Sequence, residues 1–416
     1  SVRSFWRQGP ALTPPEEAAL LSTLGLPADL PSWDRLLGQL SGGERVKLQL
    51  ARLLAEQPEL LLLDEPSNDL DLETLQFLEE FLQSWTGAVL FVSHDETLIR
   101  NTANVIVHLE ALRRKTAPRA TVARLPYDQY VEGRQAKFRH QAQVSRQEHA
   151  EFKKQMDRFL RIRNQVEHQQ ATISRGDPHG GFLLKKKMHT LQSMGRRFEK
   201  EREKLTQMPE LEEAIFLRFP PAATVPQGKR VLDFRLPLLE AGGRQLSQNL
   251  QLTVTGPEKI GIIGPNGCGK TTFLRLLAQE LAQRPDLRVA YMPQNYAEVL
   301  DLTATPVDFL NRSGSREEAT RIRNHLGSLR FTTLEMDHPI SSLSGGQKAK
   351  ILLLQMILAE SNVLILDEPT RNFSPLSGPV IRDLLASFGG AILSVSHDRL
   401  YLEEVCQTIY AITPQG

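Results

Sequence analysis

Short apolar runs punctuate both ends of this chain, and a long polar stretch separates them. Residues 259–264 (KIGIIG), 362–366 and 391–395 are predominantly apolar over strand length and read as buried strands. The segment TFLRLLAQEL, which begins at Thr272, reads as a helix. Between residues 127 and about 173 the chain turns polar and basic, with no Gly or Pro after Gly133. There Phe138, Ala142, Phe152, Met156, Phe159 and Val166 fall near heptad spacing. A break follows at RGDPHGG, and then Leu184, Met188, Leu191, Phe198 and Leu205 recur at three- and four-residue steps. The pattern predicts a helical hairpin with its turn at residues 176–181 and a longer arm of about 60–70 Å.

The apolar runs belong to a repeat. LSGGE (residues 40–44) and LSGGQ (343–347), the DEP segments that contain Asp64 and Asp367, and the SHD segments that contain His94 and His397 all lie 303 residues apart. Three motifs in one order at one offset indicate a duplicated domain. One motif stands alone. Gly264, Pro265, Asn266, Gly267, Cys268, Gly269, Lys270 and Thr271 fit GxxxxGK(S/T), after a strand-like run and before a helix-like one. Its counterpart would fall before residue 1, so the first half's phosphate loop is expected upstream of Ser1, and the chain reads as N-terminally truncated.

The chemistry follows from residue type and order. Glycines 264, 267 and 269 let the backbone curl and point N–H groups at phosphate oxygens, helped by the positive end of the next helix. Lys270 reaches the β- and γ-phosphates, Thr271 supplies a hydroxyl to Mg²⁺, and Thr272 extends the loop. An ordinary glycine turn would not require Gly-Lys-Thr followed by the other motifs. Asp367 ends a strand where a carboxylate can hold Mg²⁺ through its water shell, and Glu368 is the candidate general base. A Glu beside an Asp also fits a solvated strand end. His397 follows the strand at 391–395 and reads as the γ-phosphate sensor. Gln294 sits where a loop glutamine would touch metal and water, although an exposed loop residue fits that position too.

Composition narrows the setting. The chain has 416 residues, 40% hydrophobic and 24% charged, enough for two or three domains. No apolar stretch reaches the length of a membrane span. Two cysteines, Cys268 and Cys406, exclude a disulfide framework and a zinc or iron–sulfur cluster, and a reducing, cytoplasmic setting is expected. Residues 111–208 hold 23 Lys+Arg against 10 Asp+Glu, a net +13 that leaves −12 for the rest of a chain whose total is +1. A basic middle between acidic ends suggests contact with a polyanion, with Lys185, Lys186, Lys187, Arg196 and Arg197 as candidates. A solvated coiled-coil spacer is the alternative.

At LSGGE, LSGGQ and the paired DEP motifs the chain resembles the ATP-binding-cassette superfamily. The resemblance implies two α/β cassettes, the first incomplete, placed head to tail, with each ATP held between one domain's phosphate loop and the other's signature motif. The intact site would then join residues 264–272, Gln294, Asp367, Glu368 and His397 to Ser41, Gly42, Gly43 and Glu44. The second, incomplete site would hold Asp64, Glu65, His94, Ser344, Gly345, Gly346 and Gln347. Two departures stand out. Asp71 of the first half is Ser374 in the second, where the same rule has Asp71 facing the intact site and Ser374 the incomplete one. And RLPLLEAGGRQL offers no aromatic near Ala241 to stack on adenine, which suggests tolerance of other bases.

Two cassettes joined by a basic hairpin resemble the ABC-F family. That resemblance implies a ribosome-associated ATPase, either a translation factor or a protein protecting ribosomes from antibiotics, whose linker contacts rRNA and P-site tRNA. The expected organisation is residues 1–111 (first cassette, without its phosphate loop), 112–225 (linker) and 226–416 (complete cassette), a monomer whose cassettes pair within the chain. The main rival is the ATPase subunit of a transporter with a separate membrane partner, which has no need of a basic hairpin. In a chromosome-type ATPase the coil would interrupt one cassette, and here both halves keep their motifs in order around it.

Overall fold

The computed structural model describes residues 1–40, 42–68, 70–111, 117–172, 178–208, 217–241 and 243–413. Residues 1–104 and 212–416 form one compact unit, and residues 105–211 form another.

The first unit opens with helices α1 (Val2–Arg7), α2 (Pro14–Thr23) and α3 (Gly42–Ala55). Strand β1 (Leu60–Asp64), α4 (Leu72–Ser84), β2 (Ala88–Val92) and α5 (Glu96–Thr102) follow. Strands β1 and β2 pair in parallel, with Asp64 opposite Val92. One side of this sheet packs on a core that includes Leu48, Ala51, Leu75, Leu78 and Leu98.

The second unit contains an antiparallel pair, β3 (Ile106–Ala111) and β4 (Ala117–Ala123), then helices α6 (Tyr127–Thr172) and α7 (Pro178–Lys204). At 46 residues α6 is about 70 Å long. The helices run antiparallel. Ser145 Oγ donates to the Thr206 carbonyl at 2.8 Å, and Phe159 meets Phe198 with ring centroids 5.3 Å apart. Phe159, Val166, Leu191 and Phe198 form the seam, flanked by Phe152, Met156, Leu160, Leu184 and Met188. Phe138, placed on the same stripe by its spacing, instead lies under the Arg134 guanidinium, 4.7 Å from its ring centroid. Of the residues expected in the turn, 178–181 are helical. Pro178 opens α7, because its fixed φ and missing N–H suit a first helical position, so Gly180 and Gly181 are helical. Residues 176 and 177 lie outside the described residues.

The rest of the first unit is the complete cassette. An antiparallel pair, β5 (Arg230–Ala241) and β6 (Arg244–Thr255), leads into β7 (Lys259–Ile263), α8 (Lys270–Ala282) and β8 (Val289–Met292). Short helices α9 (Pro306–Leu310), α10 (Arg316–Ser328) and α11 (Thr333–Asp337) precede α12 (Gly345–Leu358). Strand β9 (Val363–Asp367), α13 (Gly378–Ala386), β10 (Ala391–Val395), α14 (Arg399–Glu404) and β11 (Thr408–Ala411) complete it. Five parallel strands lie in the order β11-β7-β10-β9-β8. Strands β9 and β10 are buried along their whole length, so they read as continuous apolar runs rather than alternating ones. Phe273, Leu274, Leu277 and Leu281 of α8 cover one side of the sheet.

The duplication extends to the backbone. Among the described non-glycine residues, six have positive φ, and four of these form pairs 303 apart: Gln57 (52°) with Glu360 (51°), and Glu65 (45°) with Glu368 (53°). Two cassettes of one fold, one of them with a two-strand sheet, account for these pairs.

Candidate nucleotide site

The site begins with strand register. In the complete cassette Val395 lies opposite both Ile262 and Asp367, so the carboxyl ends of β7, β10 and β9 stand side by side. The loop after β7, the Asp367–Glu368 pair and the His397 segment therefore meet at one end of the sheet, where open α/β sheets bind ligands.

Glycine is required in that loop. A side chain at Gly264 would strike the Ile412 carbonyl, its Cβ 2.6 Å from the oxygen, and one at Gly269 (φ 99°) would strike Leu239 at 2.7 Å. Lys270 Nζ donates to the carbonyls of Gly264 (2.8 Å) and Pro265 (3.0 Å), which lays the side chain along the loop. Burial pulls this ammonium below the usual lysine range. Burial also pushes Asp367 above its ordinary value, against a hydrogen bond from the Thr271 hydroxyl. Glu368 is raised to about 8, first by burial and further by the adjacent Asp367 charge. Its Oε2 accepts the His397 amide at 3.3 Å. The equivalent Glu65 accepts the His94 amide at 3.1 Å, with His94 Nε2 3.2 Å from the other carboxylate oxygen.

The first cassette reaches this loop through Asp71. Asp71 caps α4 by accepting from the Thr74 amide (3.1 Å) and hydroxyl (2.7 Å), and its Oδ2 accepts the Asn266 amide at 3.2 Å. Burial would raise its pKa, but these hydrogen bonds outweigh that effect and hold Asp71 below its ordinary value.

A cavity of about 590 Å³ opens here. It gathers Gly267, Gly269, Lys270, Thr271, Thr272, Gln294, Asp367, Glu368 and His397 from one cassette, with Arg45, Ser67, Asn68 and His94 from the other. Three placements differ from the sequence expectation. Among the described residues Gly43 and Glu44 do not line this cavity, whereas Ser41 and the surroundings of Gly42 lie outside the description; the signature helix α3 contributes Arg45. His94 and Ser374, expected at the incomplete site, border the same cavity as Lys270, because the cavity continues across the contact between cassettes. Asp64 and Glu65 line a separate hollow of about 540 Å³ that includes none of residues 344–347. Ser344 and Gln347 form a capping box at the start of α12, and a Cβ at Gly346 would meet the Asn372 carbonyl at 2.6 Å.

Leu246 of β6 is a cavity residue that sequence reasoning missed. It also packs where a Cβ at Gly269 would fall. Its signal was the apolar position in GRQLSQ, unreadable until β6 was known to fold over the loop.

Comparison with known proteins agrees with this geometry. The ABC transporter family model matches residues 16–68 and 247–371. Ribosome protection protein VmlR of Bacillus subtilis (strain 168) is 34% identical over 398 residues, covering 91% of this chain and 69% of its own length. The chain belongs to the ABC-F family. ATP-binding protein Uup of Escherichia coli (strain K12) is 33% identical over 397 residues, 92% of this chain and 57% of Uup. The chain thus spans between about half and two thirds of these relatives. The structure of the archaeal ribosome recycling factor aABCE1 with stalk protein aP1 matches 99% of the chain at a TM-score of 0.58 and 18% identity, a likeness of fold. ATP binding and hydrolysis are the chemistry of an ABC-F cassette with this loop and these carboxylates.

Proposed function

We propose that this chain is a ribosome-acting ATPase of ABC-F type, in which the complete cassette hydrolyses ATP and the basic hairpin engages ribosomal RNA and P-site tRNA. The observation that carries the ATPase half is the hydrogen bond from the Asn266 amide to Asp71, which ties the first cassette to the phosphate loop of the second. In this reading Lys270 and the loop amides hold the β- and γ-phosphates. Glu368 takes a proton from water as the water oxygen attacks the γ-phosphorus and the bond to the β–γ bridging oxygen breaks, releasing ADP and phosphate. His397 senses the γ-phosphate, and Gly42, Gly43 and Glu44 approach it when the cassettes close.

The residues also fit Mg²⁺. Asp367 Oδ2 is buried with no hydrogen-bond partner among the described residues, and Thr271 and Gln294 line the same cavity. The ion, when bound, neutralises charge on the phosphates. Leu246 offers the base an aliphatic surface rather than a stacking ring.

Support for the ribosomal half comes from the +13 segment and from VmlR, which is named a ribosome protection protein. Lys185, Lys186, Lys187 and Arg196 are exposed on α7, and exposed Phe182 beside them suits stacking on an unpaired base. Arg197 is a weaker candidate, paired with Glu201 at 2.8 Å. No helix among the described residues is long and apolar enough to cross a membrane, and the reading places the protein in the cytoplasm with its ribosomes. Co-sedimentation of the Glu368→Gln protein with ribosomes tests it. Pelleting that requires ATP and disappears when Lys185, Lys186 and Lys187 become Glu is expected. Verified ATP binding without pelleting would return the hairpin to a spacer and favour the transporter-subunit alternative.

A further inference from the structure

Two ion pairs that are images of one another cross the contact between the cassettes. Arg382 Nη1 donates to Glu96 Oε2 at 2.8 Å. Arg399 grips Glu79 through both terminal nitrogens, Nη1 at 3.1 Å from Oε2. Positions 79 and 382 are 303 apart, as are 96 and 399. Exchanging the cassettes therefore carries one pair onto the other. The side chains of Arg382, Glu96 and Glu79 are no more than 10% exposed, and that of Arg399 is 32% exposed, so solvent screens these contacts little.

The charges do not follow the exchange. Both acids lie on the first cassette and both arginines on the second. Their supports within each cassette are inverted in step. Glu79 accepts from Asn101 at 3.3 Å, whereas Arg382 donates to Glu404 at 2.7 Å, and 101 and 404 are equivalent positions. Glu96 pairs with Arg100 at 3.5 Å, and the position equivalent to Arg100 is Glu403. Two first cassettes in this arrangement would set Glu79 against Glu96 twice. Two second cassettes would set Arg382 against Arg399 twice. Only unlike cassettes bring opposite charges together.

We propose that Glu79, Glu96, Arg382 and Arg399 form a pairing code that makes the acidic face of the first cassette the partner of the arginine face of the second and rejects pairing of like cassettes from separate chains. Each pair adjoins a histidine segment, since Glu96 and Arg399 follow His94-Asp95 and His397-Asp398. The code thus sets which two cassettes share the cavity containing Lys270. The inference rests on the ATPase reading only for one of its two readouts, and on nothing ribosomal.

Transplanting whole sets tests it without disturbing contacts inside either cassette. One full-length chain carries Glu79→Arg, Glu96→Arg, Arg100→Glu and Asn101→Glu, which gives its first cassette the set of the second. Another carries Arg382→Glu, Arg399→Glu, Glu403→Arg and Glu404→Asn. A third carries all eight changes. Each of the first two chains alone is expected to lose about tenfold or more in ATP turnover. Mixed at equal concentration, they should form a complex of one chain of each kind, seen by mass photometry, with turnover regained. The eightfold chain should remain a monomer and work within about threefold of the unsubstituted protein. No recovery in the eightfold chain and no mixed complex would overturn the code, whatever the single transplants do. If the unsubstituted chain shows no turnover, the ATPase reading fails and the mass of the mixture alone decides the code.

Discussion

Glu368 and Glu65 hold φ of 53° and 45°, a left-handed conformation that costs a non-glycine residue about 1–2 kcal/mol. What offsets that cost is local and repeated. The amide of each glutamate donates to the carbonyl at the end of the neighbouring strand, Val395 at 2.9 Å and Val92 at 2.8 Å, and each carboxylate accepts a histidine amide. The twisted backbone aims the carboxylate back over the strand ends instead of along the chain. Gln keeps that hydrogen-bond geometry and cannot take a proton. Glu368→Gln should therefore bind ATP as the parent does while turnover falls about 10²- to 10⁴-fold, measured by nucleotide binding and single-turnover hydrolysis on one preparation. Unchanged turnover would remove Glu368 from the base role. At Leu246 the expectation concerns selectivity. An aliphatic contact distinguishes bases poorly, so GTP turnover should lie within about tenfold of ATP turnover. Leu246→Tyr, by adding a ring at the cavity wall, should tighten nucleotide binding by about two- to tenfold. A parent enzyme that already rejects GTP strongly would show that another residue reads the base. The sequence singled out Lys270, Thr271, Gln294, Asp367, Glu368 and His397, which line one cavity, because phosphate chemistry restricts residue type and spacing together. Leu246 and the Asp71–Asn266 contact were not legible as geometry, since each depends on segments brought together from far apart in the chain.

Legibility at the scale of elements followed the same rule. The strand at 391–395 was read to the residue and the run at 259–264 overran β7 by one, because β7 and β10 are buried on both faces and so appear as nearly continuous apolar runs. The hairpin seam was also readable, since Phe159, Val166, Leu191 and Phe198 recur at helical spacing. The antiparallel pairs β3–β4 and β5–β6 were missed. Their faces are mixed, with Val107, Leu109, Val122 and Leu238 exposed, so alternation was blurred. Among the described residues the seam has four buried side chains along helices of 46 and 27 residues, which concentrates the hairpin's stability at few contacts. Phe159 touches Phe198, and its ring lies where a Cβ at Gly195 would be 3.5 Å away. Phe159→Ala should cost about 3–5 kcal/mol locally and raise amide hydrogen exchange across α6 and α7 while leaving exchange in β7, β9 and β10 unchanged. Slow exchange retained along both helices would mean that the hairpin is held by something other than its seam.

At the scale of the molecule the duplicated fold supplies its own control. Positions 62 and 365, and 90 and 393, are equivalent by the 303-residue offset. Ile365 and Leu393 are fully buried beneath α8, whereas Leu62 and Leu90 are 67% and 56% exposed. The sheets therefore differ in what covers them, although their sequences are alike. In the first cassette the face of β1 and β2 that carries Leu60, Leu62, Leu90 and Val92 is exposed. An apolar sheet face of this kind promotes association between molecules. Leu62→Lys removes part of that face without burying a charge, and should change stability by no more than about 0.5 kcal/mol while raising the protein concentration at which light scattering first detects aggregates. Ile365→Lys places an ammonium at a fully buried position of a five-stranded sheet. It should cost about 5 kcal/mol or more and abolish the cooperative melt of the complete cassette. Equal penalties for the two substitutions would show that the face at Leu62 is covered in solution after all. A large penalty at Ile365 with a small one at Leu62 would establish that one sequence pattern, repeated in one chain, serves as core in one cassette and as surface in the other.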